Sequence, residues 1–200
     1  MLIGLTGNFG SGKSTVLKLF ASLGAITPSA DEIVQGLLKT AEIKGKIAAR
    51  FGSVLDAGGE LDKKKVAAIA FADENMRRFL ESLLHPLVIC EITAIGAQHK
   101  HEIVVAEIPL LFEGGFQNRV DKVVTVVANR EVVFKRLGLR GFSEEEVKSR
   151  LASQIPDDIK ARQSDYVLDN SGKPDLLESE VRKLYEKVSA TLAKVSATPR

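Results

Sequence analysis

What the chain lacks narrows its class before any motif is read. Cysteine occurs once in 200 residues, as Cys90, so neither an internal disulfide nor an all-cysteine zinc site can form. That usage suits a reducing compartment, and a cytoplasmic setting is expected. An excess of one charge is missing: 28 Lys and Arg against 26 Asp and Glu leave +2 at neutral pH. No generic nucleic-acid binder is expected from that balance. No apolar run reaches the length of a membrane span, and Met1 to Thr6 runs straight into a glycine-rich loop, so neither a membrane anchor nor a signal peptide is expected. Repeats and long low-complexity tracts are absent too. What remains is ordinary globular material, 44% apolar and 27% charged. Two hundred residues fit one domain with room for a small subdomain, burying about 70% of the unfolded chain's surface.

Periodicity then orders the chain. Residues 2–6 are almost all apolar and stop at Gly7, as a short buried strand does. From Lys13 the spacing becomes helical through Val16, Leu17, Phe20 and Leu23, and Gly24 ends it. Residues 25–28 fit a second short strand, and Asp31 to Leu38 a helix. Between 40 and 100 no strong strand occurs. Three helices are expected there, around Ile43–Phe51, Val66–Ala70 and Phe79–Leu84, with a restart at Pro86, where a missing N–H is tolerated. Further strands are expected at 103–106, 120–127 and 166–168. A helix is expected at 131–139, and a capping box at Ser143–Glu146 opens another. A last helix carries Val181, Leu184, Tyr185, Val188, Leu192 and Val195 on one face, and 197–200 should fray. Strands alternating with helices predict an α/β fold whose parallel sheet is covered on both faces.

The strongest signal is Gly7-Asn8-Phe9-Gly10-Ser11-Gly12-Lys13-Ser14, which matches G-x-x-x-x-G-K-[ST] at every fixed position. A strand leads into it and a helix leaves it. Small residues at Gly10, Ser11 and Gly12 let successive N–H groups turn inward toward phosphate oxygens. The helix N-terminus adds about half a positive charge. Lys13 can bridge the β- and γ-phosphates, the Ser14 hydroxyl can hold Mg²⁺, and Thr15 supports the helix start. Nucleoside triphosphate binding follows; the fate of the phosphate does not. A GTPase would need a guanine-reading Asn-Lys-x-Asp segment, which is absent.

Six segments in register resemble the dephospho-CoA kinases. They are Gly4–Val16; Ser29-Ala30-Asp31, where that family has Asp-Ala-Asp; and Leu84-His85-Pro86-Leu87. Then come Ile108-Pro109-Leu110-Leu111-Phe112-Glu113; the lid residues Arg136, Leu137, Arg140, Gly141, Ser143, Glu144, Glu145, Arg150 and Gln154; and Asp165–Gly172. The resemblance implies transfer of the ATP γ-phosphoryl to the ribose 3′-hydroxyl of dephospho-CoA. It also implies a P-loop kinase fold with a five-stranded parallel sheet, and a protein that is a monomer or weak oligomer. In that scheme the core takes residues of about 1–39, 101–130 and 160–200, a helical CoA-side subdomain about 40–100, and a lid about 131–159. Two departures stand out: Ser29 replaces the first Asp, and Gln35 stands where an arginine is common.

Each candidate residue also has a plainer alternative. Asp31 follows a strand at the crevice edge and could take the acceptor hydroxyl's proton, or it could simply cap a helix. Glu107, at the end of its strand, could hold a metal-bound water or be a solvated carboxylate. Arg136 and Arg140 could grip phosphate with guanidinium forks, or lie on a solvated helix face. Gly141 beside Arg140 would serve as a hinge. His85 could meet substrate or only pack, and Lys63 could meet a CoA phosphate or only open a helix. Asn170 could edge the adenine site or form a plain turn. Another P-loop small-molecule or nucleotide kinase, or a non-catalytic ATP-binding module, stays open as an alternative.

Overall fold

A computed structural model describes residues 1–197. The side chains from 195 onward, with the expected helix-face residue Val195 and the fraying expected near the end, lie outside the described residues. In chain order the elements are β1 (Leu2–Thr6), α1 (Lys13–Ser22), α2 (Ala30–Leu37), α3 (Ala41–Phe51), α4 (Lys63–Ala72), α5 (Glu74–Gln98) and β2 (Val104–Glu107). After a 3-10 turn at Phe116–Arg119 come β3 (Lys122–Val127), α6 (Arg130–Gly138), α7 (Glu144–Ala152), α8 (Asp157–Gln163), β4 (Tyr166–Asp169) and α9 (Pro174–Ala197).

The chain divides into two units, Met1–Pro28 with Ile92–Arg200, and Ser29–Glu91. The first holds a parallel sheet in the order β2-β1-β3-β4. Its central strands are Val- and Ile-rich runs buried on both faces, as crossover helices require. Ile3, Leu5, Val105, Val124 and Val126 meet Val16 and Phe20 of α1 and Val181, Leu184 and Val188 of α9. Each such side chain, fully buried, contributes about 2 kcal/mol. Register aligns Leu5 with Glu107 and Thr6 with Thr125, so β1 and β2 finish within one residue of each other at the start of the glycine-rich loop, while β3 runs on to Val127.

Among the described residues the sheet has four strands where five were expected. The expected strand at 25–28 shrinks to one parallel bridge, Ile26 to Val104. Ile26 N–H donates to Ile103 O at 2.9 Å and its carbonyl accepts from Val105 N–H at 2.8 Å. Pro28 has no N–H to extend the ladder, so pairing stops there.

The second unit is helical. Ile43, Ile47, Phe51, Val54 and Val66 form its core, with Leu61, Phe79 and Leu83 packed around them. Gly52 ends α3 at φ 78°. Pro86 does not restart a helix: it lies inside the continuous α5, whose 25 residues run across the division between the units. Apolar spacing persists through Leu83, Leu84, Leu87 and Val88, and it outweighs the one hydrogen bond that proline removes. With that interruption gone, α5 is long and apolar enough to cross a membrane by length and composition, contrary to the expectation of no such run. Packing helices of soluble proteins meet the same two criteria.

Candidate active site

The loop between β1 and α1 is shaped by contacts the motif itself does not encode. Gly12 sits at φ 95° as the N-cap of α1, and a Cβ there would run into Asn170 Nδ2. Gly10 sits at φ 82°, where a Cβ would lie 2.8 Å from Leu137 and Val133 of α6. Only glycine tolerates both the left-handed backbone and the close neighbours. Asn170, at the end of β4, donates Nδ2–H to Ser11 O at 2.8 Å and accepts from Arg136 Nη2 at 3.4 Å. Arg136 and Asn170 therefore meet at one edge of the loop. Arg136 Nη1 and the Ser11 hydroxyl are buried with no hydrogen-bond partner among the described residues.

Lys13 is turned back onto the loop, donating to Gly7 O at 3.0 Å and Asn8 O at 3.3 Å. Burial lowers its pKa below the ordinary 10.5, and the nearby Lys160 lowers it further. Glu107, Asp157 and Glu113 oppose that shift. Glu107 closes β2, half-buried, within electrostatic reach of Lys13. Ser14 and Thr15 lie exposed in the first turn of α1. Ser14 hydroxyl and Glu107 carboxylate are hard oxygen donors, the type Mg²⁺ takes, and so small a protein set suits an ion that keeps waters and phosphates as its other ligands.

A strap formed by residues 154–157 braces the other side of the loop. Phe9 N–H donates to Gln154 Oε1 at 2.9 Å, and Asn8 Nδ2–H to Ile155 O at 3.1 Å. Ile155 N–H donates to Glu113 Oε1 at 3.0 Å. Lys160 Nζ lies 2.8 Å from the same oxygen, with the lysine side chain wholly buried. Burial raises the pKa of Asp157, although the Asn8 N–H and two lysines favour its charged form. The Arg150 guanidinium lies 4.8 Å from the ring of Phe9 and 4.9 Å from that of Phe142, and those rings meet edge to face at 5.2 Å.

Sequence reasoning passed over Asp157 and Lys160, and it gave Glu113 no role beyond its place in the Ile108–Glu113 segment. No spacing rule links Lys160 to Glu113, because the fold alone brings them together. Arg140 is exposed in the turn after α6. Gly141 beside it has φ 87°.

The remaining candidates belong to the second unit. Asp31 is exposed in the first turn of α2 and does not cap it. Ser29 is the cap, its hydroxyl accepting from Glu32 N–H at 3.2 Å. Lys63 is the exposed first residue of α4, capped by Asp62. His85 lies within α5 rather than at a helix start.

A phosphate loop with this support also matches known proteins along its length. The family model "Dephospho-CoA kinase" matches residues 1–175. The chain belongs to the dephospho-CoA kinase family. A dephospho-CoA kinase of Aquifex aeolicus is 37% identical over 190 residues, covering 94% of this chain and 97% of its own. That of Corynebacterium diphtheriae is 38% identical over 196 residues, covering 93% and 96%. The solved dephospho-CoA kinase of Campylobacter jejuni superposes with a TM-score of 0.72 at 27% identity, covering 95% of this chain and 98% of that one. Membership in the dephospho-CoA kinase family accounts for the P-loop kinase fold, and the fourfold sheet is a small variation on it.

Proposed function

We propose that this chain transfers the γ-phosphoryl group of ATP to the ribose 3′-hydroxyl of dephospho-CoA, releasing CoA and ADP. The observation that carries this reading is the family match over residues 1–175 together with a fully formed phosphate loop on β1 and α1. In the reaction the acceptor oxygen forms a bond to the γ-phosphorus while the β–γ bridging bond breaks toward ADP. Asp31 takes the hydroxyl proton; its freedom from capping α2 supports that role. Lys13 leaves its two loop carbonyls for the phosphates, and the loop N–H groups stabilise the charge that develops there. Ser14 and Glu107 would hold Mg²⁺, which when bound neutralises charge between the β- and γ-phosphates. Arg136 and Asn170 form the nucleotide edge of the loop, Arg140 reaches the transferring phosphate from the lid, and His85 and Lys63 serve the acceptor. The single Cys90 supports a cytoplasmic setting.

ADP release measured in a coupled assay, with and without dephospho-CoA, tests the reading. Release that depends on dephospho-CoA, with CoA as the product, is the expected result. Equal release without it, or a faster reaction on another nucleotide, would replace this acceptor by that of a different P-loop kinase.

A further inference from the structure

Lys160 is a fully buried lysine with no hydrogen-bond partner among the described residues, beyond its ionic contact to Glu113 at 2.8 Å. Burying such a charge is expensive, and a buried ion pair seldom returns more stability than an apolar pair of the same volume. Its place in the network gives it another task. The Glu113 oxygen that meets Lys160 is also the one that receives Ile155 N–H. Through its carbonyl Ile155 holds the Asn8 side chain, and its neighbour Gln154 holds the Phe9 N–H. Asp157, two residues further on, lies near enough to the Asn8 N–H for that group to favour its charged form. Three successive links thus run from one ammonium to the two loop residues whose carbonyl and amide positions set the curl over the phosphates. Lys160 also lies near enough to Lys13 to lower its pKa, whereas Glu107, Glu113 and Asp157 raise it.

We propose that Lys160 is a positioning residue: by pinning Glu113 it fixes the strap 154–157 and so holds Asn8 and Phe9 in the phosphate-binding curl. This rests on the reading that the loop binds ATP. A lysine too deeply buried to touch nucleotide would then control how well the loop does so. Loosening the strap should act on ATP and leave dephospho-CoA alone.

The test compares Lys160→Met, the apolar pair Lys160→Met with Glu113→Leu, and Lys13→Ala. Lys160→Met should lower kcat/KM for ATP roughly 10- to 100-fold, the scale of a misplacement of about 1 Å at a reacting group. Most of the change should appear in KM for ATP, with KM for dephospho-CoA unchanged. The apolar pair leaves no buried charge unpaired, so its melting temperature should return toward that of the natural chain while KM for ATP stays raised. Natural ATP kinetics in the apolar pair would overturn the proposal and reduce Lys160 to a matter of charge burial. If Lys13→Ala keeps natural ATP kinetics, the phosphate site itself fails; if only Lys13→Ala loses ATP, the pin alone fails. Should the variants not fold, amide hydrogen exchange on the natural chain decides. The Phe9 and Ile155 amides should open together and both slow when ATP is added. Ile155 exchanging freely beside a protected Phe9 would overturn the link.

Discussion

The two units of the chain spend their polar groups differently. All six buried polar or charged residues among those described, Thr6, Asn8, Ser11, Thr125, Lys160 and Asn170, belong to the sheet-bearing unit. Their partners are remote in sequence, as Asn170 to Ser11 and Asn8 to Ile155 illustrate. In the helical unit the ion pairs are exposed and mostly local, such as Lys46 to Glu42 and Arg78 to Glu74. Pairs of that kind contribute only about 0.3–0.5 kcal/mol each. Its stability comes from the apolar cluster around Ile47 and Phe51. One unit is thus built to hold charge in a fixed arrangement, and the other to present solvated side chains on a packed apolar base. Substitutions in the first should disturb geometry over some distance; those in the second should act where they are made.

The sharpest break of that contrast is Lys13→Ala. Turnover should fall on the order of 10²-fold or more, because phosphoryl transfer depends on charge placed at the phosphates. Circular dichroism should show the fold unchanged, and an undiminished kcat would remove the loop from the chemistry. Asp31→Asn comes next, with roughly 10²-fold lower kcat and near-natural ATP binding, as expected for a lost general base. Ser29, not Asp31, caps α2, so the melting temperature should hold; a sharp fall in it with turnover per folded molecule preserved would contradict the assignment. Arg140→Ala should lower kcat about tenfold, with stability changed by no more than about 0.5 kcal/mol for so exposed a side chain. Arg140→Lys should recover only part of the rate, since an ammonium cannot form the guanidinium fork. Full recovery would reduce the role to simple charge.

The smallest effect is one of pH. The pKa of Lys13 in the folded protein is depressed by burial, while the unfolded chain keeps its proton up to about 10.5. Between those two values the unfolded state binds more protons, so the stability of the ligand-free protein should rise with pH across that window. ATP phosphates favour the ammonium form, so ATP affinity should fall over the same range and binding should take up a proton. Calorimetry in two buffers of different ionisation enthalpy measures that uptake, and Lys13→Met should abolish it. Equal heats in both buffers for the natural chain would show that Lys13 keeps its proton throughout.

Much of this was legible in the residues themselves. The phosphate loop was, because backbone curl, helix start and lysine all sit within one short stretch. The strands at β1, β2 and β3 were, because a strand buried on both faces has few compositional choices, and the edge strand β4 was, from its short apolar run closed by a turn. Residues 25–28 misled because local apolarity cannot show that Pro28 will cut pairing to one bridge. Pro86 misled in the opposite sense: a proline is a local signal, and packing along α5 overrode it. The strap was invisible for a different reason. Glu113, Gln154, Asp157 and Lys160 each look like solvated polar residues until the chain folds and removes the solvent. Charge pairing across long loops leaves no periodic trace.

The contact of Arg150 with the paired rings of Phe9 and Phe142 offers an optical handle. The chain has no tryptophan, so Phe142→Trp would place a single indole against both the guanidinium and the loop's own aromatic ring. Emission from that residue, free of any other indole, would report in real time whether α7 stays clasped to the loop tip or lets go as nucleotide arrives. A contact that helps hold the ligand-free loop could thereby time each turnover.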